Sequence, residues 1–88
     1  MLVSVINAEY LEEYKILLHF DNGEQGAVDL KNTIFSDHRK IFKPLQDVEF
    51  FQKFELDSWT LIWPNEADFS PEFLYELAIN KTNSQKTV

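Results

Sequence analysis

A chain of 88 residues that is 44% hydrophobic and 26% charged has the make-up of one globular domain, which excludes both a second full domain and a wholly disordered chain. Its 15 acidic residues outnumber 8 basic ones, and the net charge of -7 repels phosphate backbones, which disfavours autonomous nucleic-acid binding. Cysteine is absent, which excludes a disulfide staple, a thiolate nucleophile and a thiolate-ligated zinc.

Residues 2–8 are rich in β-branched side chains and predict a strand. As a leader this stretch is too short, is interrupted by Ser4 and lacks a basic flank, so a cytoplasmic protein is expected. Residues 9–13 then connect to a second strand over 14–20, where Tyr14, Ile16, Leu18 and Phe20 share one face and Lys15 and His19 the other. Its aliphatic run Ile16-Leu17-Leu18 is far below the ~20 residues of a membrane helix, and no membrane contact is expected. Asn22 and Gly23 tolerate positive φ and predict a tight hairpin turn. The return strand over 24–30 aligns Gly26, Val28 and Leu30, with Gly26 marking a bulge.

The stretch 31–43 is polar and weakly periodic, which predicts a short turn or helix around Asn32 to Phe35 followed by loop. Asp47 is placed to cap one or two helical turns that carry Val48, Phe50, Phe51 and Phe54. A second hairpin is predicted around Asp57-Ser58, with Trp59, Leu61 and Trp63 on a common face and Pro64 as the stop. The last element is the best-signed helix. Ser70 is a good N-cap, Pro71 takes the first helical position, Phe69 and Leu74 have the spacing of a hydrophobic staple, and Phe73, Leu74, Leu77 and Ala78 form the apolar stripe. The whole reads as a small α+β domain over 1–80. It has about five short antiparallel strands, two or three short helices with the last C-terminal, and a polar, disordered tail at 81–88.

Little in this pattern carries chemistry. His19 and His38 are the only imidazoles, His19 on the polar side of a strand and His38 in a polar loop, and neither stands in a catalytic frame. Glu66 and Asp68 point the same way if their segment is extended. Two such carboxylates can split their pKa values or hold a divalent cation, but the stronger reading is that Asp68, just before a helix, caps it or braces the loop through backbone N–H groups. There is no Gly-rich phosphate loop, and the eight Phe, three Tyr and two Trp lack the basic groove of a base-stacking platform, so core packing explains the rings. No cofactor or metal is expected.

Four stretches recur in one order. They are Tyr14-Lys15-Ile16-Leu17-Leu18-His19-Phe20-Asp21-Asn22-Gly23-Glu24 after an N-terminal strand, Val28-Asp29-Leu30, and Phe42-Lys43-Pro44-Leu45 with Phe50 or Phe51. The last is Leu61-Ile62-Trp63-Pro64-Asn65 leading to Asp68-Phe69-Ser70-Pro71-Glu72-Phe73-Leu74-Tyr75. Together they resemble the bacterial family catalogued as domain of unknown function 2442, over about residues 2–75. The resemblance implies a small α+β domain, found in some longer members beside a helix-turn-helix. The residues given end before any such appendage, so DNA recognition by analogy lacks its reading element. It also implies an accessory protein encoded beside another small protein, for which a toxin–antitoxin role has been entertained. Members usually carry Gly after Trp-Pro-Asn. Here Glu66 stands there, which implies a different turn or a left-handed Asn65.

The motif residues Trp63, Pro64, Asn65, Asp68, Pro71, Leu74 and Tyr75 are read as scaffold, with Trp63 an aromatic plug and Asn65 and Asp68 bonding the turn backbone. The favoured expectation is a non-enzymatic module that binds a basic protein, through an exposed strand edge or through Trp59 and Trp63 of the second hairpin. A strand edge also allows a homodimer. The alternatives are a small metal-dependent hydrolase using Glu66, Asp68 and a histidine, and a regulator that reaches DNA only through a separate chain.

Overall fold

A computed structural model describes residues 3–57 and 59–86, with side chains through Ile79. Strands β1 (Val5–Glu12), β2 (Lys15–Phe20) and β3 (Gln25–Asp29) form an antiparallel meander, and β4 (Glu55–Asp57) pairs with β5 (Thr60–Ile62) in a separate hairpin. Between them lie helix α1 (Lys31–Ser36), a 3-10 helix (Lys40–Gln46) and the single turn α2 (Val48–Phe51), and α3 (Pro71–Lys86) follows. This is the expected α+β domain. Leu2 at the start of the first expected strand, Ser58 at the second hairpin's turn and the side chains of the expected disordered tail lie outside the described residues.

The alternation in β2 sets the register. Ile16 pairs with Tyr10 and Val28, and Leu18 with Ala8 and Gly26, so these rows face the core while Asn7, His19, Gln25, Glu9, Leu17 and Ala27 line the other face. The first strand is displaced from its expected place. It runs on through Glu12, and residues 9–13 are strand and turn instead of a connector. The reason is two irregularities in its pairing, which leave Ile6 and Leu11 without partners in β2 and 58% and 46% exposed. The extra residue at Ile6 resets the alternation so that Val5, Ala8 and Tyr10 all meet the core. Glu13 closes the reversal with a φ of 50°.

Gly26 marks no bulge, since β2 and β3 pair without a shift. It marks a close approach of α3, because a Cβ there would lie 2.8 Å from the Ala78 carbonyl oxygen. At the hairpin turn only Gly23 is left-handed, at 87°, and Asn22 is not. The loop is a three-residue one. Phe20 donates to the Glu24 carbonyl, Gly23 donates to the Phe20 carbonyl, and Asn22 Oδ1 accepts from the Glu24 N–H at 3.0 Å. Glu24 and Asn22 also hold the Tyr75 hydroxyl of α3, which donates to Glu24 Oε1 at 2.6 Å and accepts from Asn22 Nδ2 at 3.3 Å. The bond to Glu24 favours the protonated phenol and raises its pKa.

The expected loop before Lys43 continues as the 3-10 helix, whose threefold repeat buries Phe42 and Leu45 in the core. Asp47 caps α2 by accepting from the Glu49 N–H at 3.2 Å, and Ser70 caps α3 by accepting from the Phe73 N–H at 3.1 Å. The core gathers Ile16, Leu18 and Phe20 from β2, Phe51 from α2, Trp63 from just beyond β5 and Leu74 from α3. Phe73 leaves the expected apolar stripe. It is 37% exposed and stacks on Phe69, while Leu74 beside it is fully buried. Among the described residues no helix is long and apolar enough to cross a membrane.

Candidate functional site

The segment 59–75 carries the most distinctive residues, and it divides into scaffold and surface. Trp63 lies between Phe51, Phe54 and Phe69, 2% exposed, and its indole N–H donates to the Phe51 carbonyl at 2.8 Å. It is the plug expected, and for that reason it offers nothing to a partner, which removes it from the expected interface. Pro64 ends β5 and takes the second position of a turn, where its fixed φ is already set. Trp63 donates to the Ala67 carbonyl at 2.9 Å and Glu66 donates to the Trp63 carbonyl at 2.8 Å. Asn65 Oδ1 accepts from the Ala67 N–H at 3.2 Å, and its Nδ2 donates to the Ile41 carbonyl at 2.8 Å. The left-handed residue is Glu66, with φ 72°, and not Asn65. Asp68 departs from its expected role. Its carboxylate is exposed and bonds no turn backbone among the described residues, while its main chain bridges to Ile62.

Trp59 has left its expected companions. Leu61 and Trp63 are buried, whereas Trp59 is 59% exposed, because it precedes β5 in the hairpin turn and escapes the strand's pleat. Its carbonyl accepts from the Val5 N–H at 2.9 Å, which ties the hairpin turn to the start of β1, and its N–H bonds the Asp57 carbonyl. Trp59, Val3, Ser4, Pro71 and Glu72 surround a depression of about 330 Å³. Thr60, next to it, is buried and donates to the Phe69 carbonyl at 2.6 Å, which fixes the hairpin against the approach to α3.

A second concavity, about 400 Å³, opens between the 3-10 helix and turn 63–67. Asp37, Arg39, Glu66 and Asp68 supply its charges, and Phe42 and Phe73 are among its rings. Arg39 is already engaged. Its Nε and Nη2 donate to the two Asp37 oxygens at 3.0 and 2.7 Å, and its guanidinium lies 4.8 Å over the Phe42 ring. These bonds and the Arg39 backbone N–H hold the Asp37 carboxyl at about 2, below its ordinary 3.8. No signal in the sequence marked this pair, because the Asp-His-Arg spacing is ordinary for a polar loop.

Glu66 and Asp68 thus meet in one concavity, but neither His19 nor His38 lines it. His19 stands on the outer face of the sheet, its Nε2 4.0 Å from Glu9 and buried without a hydrogen-bond partner. Among the described residues no group of three or more His, Cys, Asp or Glu is disposed to hold a metal ion.

The chain belongs to the family described as protein of unknown function (DUF2442), whose model matches residues 5–80. No curated protein and no solved structure is significantly similar to it.

Proposed function

We propose that the chain is a non-enzymatic accessory module of the bacterial cytoplasm that binds a basic protein through the apolar tip of its second hairpin. The observation that carries this reading is Trp59, more than half exposed at the hairpin turn while the neighbouring Leu61 and Trp63 are buried. Tryptophan is a costly residue to leave in water and a frequent anchor of interfaces. The acid Glu72 lines the same depression and the acid Asp57 accepts from the Trp59 N–H through its carbonyl, so the ring stands beside negative charge, which complements a basic, partly apolar surface. The strand-edge route is less favoured at β1, whose outer edge is engaged at Val5 by the Trp59 carbonyl and whose regularity is broken by two pairing irregularities. An antitoxin-like partnership with a small neighbouring protein is one form this binding would take.

The test is co-purification from native lysate with wild-type and Trp59→Ala chains. A stoichiometric partner of basic sequence, retained at low salt and lost at high salt or with Trp59→Ala, is the expected result. Recovery of no such partner at low salt would sink the proposal, and a salt-independent homodimer by light scattering would replace it.

A further inference from the structure

Resting on the protein-binding reading above, we infer that the 400 Å³ concavity between the 3-10 helix and turn 63–67 is a docking groove for an arginine side chain of a basic peptide segment. The groove holds one example of the chemistry already. Arg39 places its guanidinium over the Phe42 ring and spends the Nε and Nη2 edge of it on Asp37. Phe42 is stacked on Phe69 at 5.1 Å and 20°, and Phe69 on Phe73 at 5.7 Å and 24°. Phe73 ends this stack, since among the described aromatic residues it pairs with Phe69 alone, and 37% of its surface is open.

The two remaining carboxylates of the groove, Glu66 and Asp68, have no hydrogen-bond or ion-pair partner among the described residues. With Asp37 satisfied by Arg39, the groove keeps an unbalanced charge of two negatives beside an uncovered ring. A planar guanidinium satisfies both at once, by donating to a carboxylate in its own plane and stacking on the ring through its face. An ammonium group donates as well but stacks poorly, which makes arginine the better occupant. The turn that presents Glu66 is fixed by Trp63 and Asn65, so the acceptor is held in place by the scaffold.

The full chain, labelled with nitrogen-15, is titrated with an acetylated and amidated Gly-Arg-Arg-Gly peptide and with its Lys counterpart, following amide shifts. The expected result is saturable shifts confined to residues 66–70, 73 and 37–42, with the arginine peptide binding at least about threefold tighter. Glu66→Gln with Asp68→Asn weakens that binding by about tenfold or more. Glu66→Gly, which removes the carboxylate and relieves the turn, weakens binding while leaving the fold intact. Trp59→Ala leaves the groove shifts unchanged, so failure of the groove and failure of the hairpin interface are read separately. Shifts spread over the dispersed acids, equal binding of both peptides, or a double variant that binds like wild type would each overturn the assignment.

Discussion

Glu66 occupies in turn 63–67 the place that Gly23 occupies in turn 20–24. In both, the first residue donates to the carbonyl four positions on, and the left-handed residue donates back to the first carbonyl. In both, an asparagine, Asn65 or Asn22, braces the turn through Oδ1 and reaches a neighbouring element through Nδ2. The φ values are 72° and 87°, a region that costs a side chain with a Cβ about 1 kcal/mol or more and costs glycine nothing.

Opposite signs are therefore expected from exchanging the two residue types. Glu66→Gly stabilises by about 0.5–1 kcal/mol, the relief of strain less the greater freedom of glycine in the unfolded chain. Gly23→Ala destabilises by about 1 kcal/mol although a Cβ there meets nothing within 4 Å, because the loss is conformational and not steric. Urea unfolding midpoints measure both, and a destabilising Glu66→Gly would show that the Glu66 side chain holds the turn.

The two tryptophans separate scaffold from surface. Trp63→Phe keeps the ring packing but leaves the buried Phe51 carbonyl without its donor, for an expected loss of about 1–3 kcal/mol. Trp59→Ala removes an exposed ring and is expected to change stability by no more than about 0.5 kcal/mol. Iodide quenching checks the placement directly, since the fluorescence left in Trp63→Phe is quenched readily and that left in Trp59→Ala is protected.

The strands and caps were legible in the sequence because they follow from local rules. Alternation marked β2, Asn22-Gly23 marked the turn, and Ser70-Pro71 marked the start of α3. What the sequence concealed depended on residues brought together from afar. The irregularities at Ile6 and Leu11 break a strict period of two, so the acidic end of β1 resembled a loop. The tenancy of Trp59 outside its strand depends on where the pleat begins, which alternation alone does not specify. The groove joins Asp37 and Arg39 to Glu66 and Asp68 across some thirty positions of chain, a juxtaposition set by the 3-10 helix that weak periodicity had read as loop.

Gly26 reports how closely α3 rides on β3. A Cβ at this position would stand 2.8 Å from the Ala78 carbonyl oxygen and 3.0 Å from its Cβ, and backbone cannot yield as the end of a flexible side chain does. Gly26→Ala is expected to destabilise by about 1–3 kcal/mol by lifting α3 from the sheet. The companion Ala78→Gly removes one of the opposing atoms but leaves the carbonyl, so it rescues only part of the loss. A neutral Gly26→Ala, measured by urea unfolding, would mean that the helix stands further out than the geometry requires.

Acid should act on the groove through Asp37. Its carboxyl is held at about 2 first by the Arg39 side chain and then by the Arg39 backbone N–H, whereas in the unfolded chain it returns to its ordinary value. The folded value lies below the unfolded one, so the pair favours the folded state above the ordinary carboxylate range, and that contribution fades as pH falls toward about 2. Arg39 is open to solvent and Asp37 partly so, so the effect on global stability is small and sensitive to salt. The local signature is sharper. Carboxyl carbon shifts of Asp37 are expected to titrate near 2 in the wild type, and to move partway back in Arg39→Gln, where the backbone donor persists and the guanidinium is gone. An Asp37 that titrates at the ordinary value in the wild type would show that Arg39 does not hold it in solution, and would release Arg39 to meet Glu66 and Asp68 itself.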